Sequence, residues 1–176
     1  RVFTGLAAGL LVAMGTFTTL YTNQQAAPDL AELAGGRLTR LEIAMRRAQG
    51  LIDDGHFTDA VQELEEPIEE APLGRLRTDA EYLRLEALYK GFYYEPDSPV
   101  YDELQAGIDQ LVAADPAHPR APEAKYWQAK LYEKADLPYA AQQVYRDLIE
   151  SYPDAPARDR ILLEAAQLAN DLRAPT

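Results

Sequence analysis

Cysteine is absent from the 176 residues, which excludes disulfides, thiol nucleophiles, thiolate metal sites and a lipidated N-terminal cysteine. Histidine is scarce. Its two copies are His56, in a candidate turn, and His118, in the loop DPAHPRAP, and neither has a second histidine beside it, so the ligand spacing of a zinc centre is missing. Asp53, Asp54 and Asp59 crowd His56, but their order fails the calcium-loop pattern, which needs alternating oxygen ligands around its glycine. No Gly-rich phosphate loop and no G-x-S-x-G elbow occurs. Basic residues are few, 17 against 29 acidic ones, for a formal net charge of −12. Nucleic acid and anionic lipid headgroups repel such a chain and make poor partners. Glu63, Glu65, Glu66, Glu69 and Glu70 read as the solvated face of a helix rather than as paired acid and base groups. The sequence thus points to no catalytic residue, no metal and no cofactor, and to a protein that is not an enzyme.

Long apolar runs are equally rare, with one exception. Val2 to Tyr21 (VFTGLAAGLLVAMGTFTTLY) is an uncharged, largely apolar run of twenty residues. At about 1.5 Å per residue it covers roughly 30 Å, the hydrocarbon thickness of a bilayer. A signal peptide has an apolar core of only about 7 to 15 residues, so the run reads as a single transmembrane anchor over residues 1–21. Arg1 is the only charge before Asp29, and no Lys or Arg occurs from Val2 to Gly36. The positive-inside tendency then predicts a cytoplasmic N-terminus and an exported domain: in a bacterium, an inner (cytoplasmic) membrane protein whose domain faces the periplasm. Gly5 and Gly9 form a G-x-x-x-G spacing that suits close helix packing in lipid.

Residues 22–36 (TNQQAAPDLAELAGG) read as a linker, with Pro28 and the Gly35, Gly36 pair marking a tether and a short helical turn possible in Leu30 to Ala34. From residue 37 to 176 the apolar period is helical throughout. Leu38, Leu41, Met45, Ala48 and Leu51 share one face, Phe57, Ala60, Val61, Leu64 and Ile68 the next, and Asp53 to His56 separate them. Two further pairs follow, through Tyr82 to Phe92 and Tyr101 to Val112, then through Tyr126 to Tyr132 and Ala141 to Tyr152. Ile161, Ala165, Leu168 and Leu172 form a last amphipathic stretch. No stretch alternates as a strand would, so the domain is predicted all-α, with seven helices.

One spacing recurs. In AKLYEKADLPYAAQQVYRDLIESYP, Ala129 is followed three residues on by Tyr132, then after a turn by Ala141, Tyr145 four later and Pro153 eight further. Ala48, Leu51, Gly55, Phe57, Ala60, Leu64 and Pro72 repeat it in LIDDGHFTDAVQELEEPIEEAP. In both, small residues permit close helix crossing, bulky ones fill the seam and Pro stops the second helix. On these residues the chain resembles the tetratricopeptide repeat (TPR) family, over roughly residues 37 to 172, in its membrane-anchored bacterial periplasmic form. The resemblance implies a TPR-like α-solenoid of about three helix pairs plus a capping helix, whose wet side would carry Asp159, Arg160, Glu164, Gln167 and Asn170. Two departures stand out. Closing prolines at Pro72, Pro116 and Pro153 are 44 and 37 residues apart against a family period of about 34, which places an insertion in the middle repeat, at Gly91 to Pro99. Pro67 falls inside a helix and predicts a kink near Glu66 or a restart.

The family resemblance also implies a concave groove, lined by the first helix of each pair, that binds polypeptides. In register, Glu123, Tyr126, Lys130 and Glu133 of the third repeat and Glu42, Met45, Gln49 and Asp53 of the first face that groove. The Lys and Asn pattern that clamps a C-terminal carboxylate in some members is missing. Tyr89, Phe92, Tyr93, Tyr94 and Tyr101 cluster around the insertion. Tyr89 and Phe92 fit core positions and Trp127 fits packing between repeats. Tyr93, Tyr94, Glu95 and Asp97 are candidates for a partner-docking edge, because tyrosine joins large contact area to a polar tip. The expected function is a non-catalytic membrane-anchored scaffold or accessory subunit on a larger integral membrane protein complex. The alternative is a periplasmic adaptor or chaperone-like factor that binds client polypeptides near a translocon or cytochrome maturation machinery.

Overall fold

A computed structural model describes residues 30–94 and 100–173, and among them the chain is all-helical. Seven helices follow in order: α1 Leu30–Asp53, α2 Phe57–Glu70, α3 Arg75–Tyr94, α4 Tyr101–Ala114, α5 Ala121–Lys134, α6 Pro138–Ser151 and α7 Arg158–Asp171. The anchor segment with Gly5 and Gly9 lies outside the described residues, as do Glu95 and Asp97. Among the described residues no helix is long and apolar enough to cross a membrane.

The apolar spacing explains the packing. Each helix packs on its successor in the chain, and α1 also packs on α3, and α3 on α5. Three apolar clusters fill the seams. Leu41, Ala48, Ala60, Leu64 and Leu83 join α1, α2 and α3. Tyr82, Leu85, Leu104, Ile108, Trp127 and Leu131 join α3, α4 and α5. Ala129, Tyr145, Leu148 and Ile161 join α5, α6 and α7. Burial is confined to near neighbours in the chain, and the architecture is repeat-like.

Two of the turns are built alike. After α1, His56 N–H donates to the Leu51 carbonyl at 2.8 Å and Gly55 N–H to Ile52 at 3.1 Å. After α5, Leu137 N–H donates to Tyr132 at 2.9 Å and Asp136 N–H to Glu133 at 3.1 Å. Both are the bond pattern that closes a helix with one left-handed residue. Gly55 takes that conformation at φ 83°, and Asp136 takes it at φ 57°.

Three sequence expectations are revised. The helix begins at Leu30 and runs through Gly35 and Gly36, so the second half of the expected linker belongs to α1. Two interior glycines disfavour a helix by about 1 kcal/mol each, but Leu30 to Ala34 are good helix formers and the buried stripe Leu41, Ala44, Ala48 and Ile52 holds the downstream turns. Pro67 does not restart α2, which is one helix from Phe57 to Glu70. The ring sits in its last turn, where one bond is lost, and Leu64 and Ile68 are buried on either side. The extra length of the middle pair is partly helical: α3 has 20 residues where α5 has 14, and it carries Gly91 to Tyr94.

Candidate binding cleft

The first helices of successive pairs run parallel, and their side chains meet rung by rung. Arg120, at the start of α5, reaches Glu86 of α3 at 2.6 Å. Further along, the rings of Tyr89 and Trp127 stack with centroids 5.4 Å apart. Beyond them Lys134 donates to the Phe92 carbonyl at 3.2 Å. Arg120 also lies over the Trp127 ring at 5.6 Å. Burial opposes ionisation of Glu86, yet Lys90 and Arg120 together hold its carboxyl below the usual carboxylate range.

Between α3, α5 and α7 these rungs leave an open cleft of about 470 Å³. Tyr89, Tyr126 and Trp127 line it with Glu123 and Arg160, and Pro119, Pro122 and Pro156 form part of its rim. The Arg160 guanidinium lies over the Tyr126 ring at 5.0 Å. The cleft offers aromatic faces, proline rings and one charge of each sign. Surfaces of this composition suit apolar or aromatic side chains.

A polar network supports it. Tyr126 Oη lies 3.0 Å from both oxygens of Glu164. Tyr145 Oη lies 2.5 Å from Glu133 and 3.1 Å from Glu164. Lys130 reaches Glu133 at 2.8 Å and Glu164 at 3.4 Å, and Arg160 reaches Glu164 at 2.9 Å. Burial alone would raise the Glu164 carboxyl, but Arg160, Tyr126, Lys130 and Tyr145 outweigh it and lower its pKa. Burial, with the neighbouring carboxylates, pushes the hydroxyls of Tyr126 and Tyr145 far above the ordinary tyrosine value. Lys130 is held above the usual lysine value, because Glu133 and Glu164 outweigh its burial.

The expected groove residues separate into three groups. Glu123 and Tyr126 line the cleft. Lys130 and Glu133 sit behind it, their charged groups engaged in the network. On α1, Glu42 and Gln49 are exposed, Gln49 donates to Asp53 at 2.9 Å, and Met45 packs against the core. Tyr93 and Tyr94 form the end of α3, with side chains outside the described residues. Phe92 is buried and Tyr89 packs against the same cluster, as their spacing predicts.

Glu164 corrects the sequence reading of the cap, since it points inward and is the hub of the network. Its spacing carries the signal: it lies three residues after Ile161 and four before Leu168, on the face those residues bury. The true wet side of α7 includes Leu162 and Leu163. His118, read only as a loop residue, is almost fully buried. Its ring stacks on Tyr82 at 4.3 Å, Nε2 lies 2.9 Å from Asp79, and Nδ1 accepts the Arg120 backbone N–H at 3.2 Å. Both ring nitrogens are engaged, so the ring ties the α4–α5 loop to α3. His56 is exposed, 3.9 Å from Asp59. Among the described residues no group of three or more His, Asp or Glu is placed to hold a metal ion. No family model matches the chain, and no curated protein matches it.

Proposed function

We propose that the chain is a non-catalytic scaffold of the TPR type, tethered to a membrane by residues 2–21 and docking on a larger membrane protein complex through protein contacts. The observation that carries this reading is the cleft between α3, α5 and α7, where Tyr89 of α3 and Tyr126 of α5 line one open surface over the largely buried Trp127 ring. Aromatic side chains held rigid by stacking and by a polar network make good anchor sites for a partner at little entropic cost. Tyr93, Tyr94, Glu95 and Asp97 extend the proposal to a second docking edge beyond α3. The bacterial inner membrane, with the domain in the periplasm, is the proposed location.

The size of the cleft also suits a second reading. About 470 Å³ accommodates a few side chains of one extended segment, as an adaptor for client peptides would require. Purification of the full chain from native membranes in mild detergent separates the two. A stoichiometric partner set, lost while helicity stays native when Tyr126 and Trp127 are replaced or when Tyr93 and Tyr94 become Ala, supports the subunit. Mixed, substoichiometric clients support the adaptor. A chain that retains its full partner set in both double variants, with native helicity, overturns the docking surfaces proposed.

A further inference from the structure

The outer face of α7 carries a regular ridge that the packing of this chain leaves uncovered. Asp159, Leu163, Ala166, Asn170 and Arg173 follow one another at intervals of four, three, four and three, the spacing of a two-helix seam, with Leu163 and Ala166 its apolar members. All five are exposed, with Leu163 at 60 % and its neighbour Leu162 at 39 %. Leu172 keeps helical angles, φ −69° and ψ −18°, and Arg173 N–H bonds to the Asn170 carbonyl at 3.1 Å, so a tightened last turn brings Arg173 onto the ridge. Neither Asp159 nor Arg173 has an ionic partner among the described residues.

We propose that this ridge is a self-association surface, on which α7 of a second copy packs antiparallel. The distribution of size and charge selects that occupant and that direction. Antiparallel, Leu163 lies against Ala166 of the second copy, large against small. Asp159 then meets Asn170 and Arg173 of the second copy, twice by symmetry, and Leu162 flanks the small Ala166 and Ala169. A parallel pair would set Asp159 on Asp159 and Arg173 on Arg173. One contact of two 14-residue helices is smaller than the roughly 1,600 Å² of a standard interface, so the dimer is weak and concentration-dependent. Ile161, on the cleft side of α7, lies off the ridge, and the cleft stays open.

Because the chain has no cysteine, Ala166→Cys in the full-length protein in mild detergent introduces a single thiol beside the dimer axis. A short thiol-to-thiol cross-linker should give a dimer much faster than with Leu73→Cys, a position 88 % exposed in the α2–α3 loop. Sedimentation equilibrium should show Asp159→Arg weakening dimerisation on the order of tenfold, since two attractive pairs become repulsive. The double reversal Asp159→Arg with Arg173→Asp should restore it. Equal cross-linking at the two positions, or a double reversal that keeps native helicity without restoring the dimer, overturns the proposal.

Discussion

The hydroxyl of Tyr145, wholly buried on α6, lies 2.5 Å from Glu133 on α5. The same oxygen lies 3.1 Å from Glu164 on α7. One hydroxyl proton thus serves two carboxylates on different helices, and Lys130 between them supplies the compensating charge. Through this arrangement the last helix is fixed to the pair before it by polar contacts as well as by Ile161.

Tyr145→Phe keeps the ring and removes the tie. It should destabilise the domain by about 1–3 kcal/mol, because two partly buried carboxylates lose a donor. Urea unfolding followed by circular dichroism measures the change, and α7 amides should exchange faster than those of α2.

Acid should act through the same group. Glu164 and Glu86 both have lowered pKa values in the fold, so their contribution is present above the unfolded value of about 4.3 and is lost as the pH falls through the folded values. The thermal midpoint should stay level from neutrality to about pH 5 and fall below about pH 4, and Glu164→Gln should flatten that fall. At the alkaline end the sign reverses. Burial pushes Tyr82 up to about 12, so stability present below the unfolded value of about 10 is lost as the pH rises through the folded one. Tyrosinate absorbance should therefore appear in two stages, the second with unfolding.

Two glycines should respond oppositely to alanine. At Gly50 a Cβ would have nothing within 4 Å, and Gly50→Ala should stabilise by about 0.5–1 kcal/mol through helix propensity. At Gly107 the new carbon would fall 2.7 Å from Leu85 Cδ2. Leu85 is buried and its side chain must repack to admit that carbon, so Gly107→Ala should destabilise by roughly 1–3 kcal/mol less the helix gain. Paired chemical denaturation of the two variants gives the comparison.

The two matching turns give a further pair. Asp136 occupies the left-handed position that Gly55 fills in the first turn. Asp136→Gly should raise stability modestly and Gly55→Ala should lower it by about 1 kcal/mol, as thermal melts would show.

The helices and most of their inner faces are legible in the sequence because period 3.6 is a property of neighbouring residues. Ala48, Ala60, Leu64 and Tyr145 read correctly as buried for that reason. The start of α1 is not legible, since Gly35 and Gly36 look like punctuation unless the pull of the core downstream is known. The partners of Glu164, whose spacing alone marks its inward face, and the burial of His118 are not legible for a different cause. Burial of a polar side chain depends on partners at Tyr126, Tyr145 and Asp79, tens of residues away in the chain. The cleft likewise needs α3, α5 and α7 brought side by side before Tyr89, Tyr126 and Arg160 share a surface.

Because α1 to α7 touch only near neighbours in the chain, few contacts must wait for distant segments to arrive. Loop closure is then short at every step, and assembly should be fast in the manner of low-contact-order folds. A nascent chain can complete the seam of α1, α2 and α3 while α6 and α7 are still unmade. Synthesis and folding would advance together from the N-terminal side, and truncated chains ending after α3 or α5 should already bury their first seams.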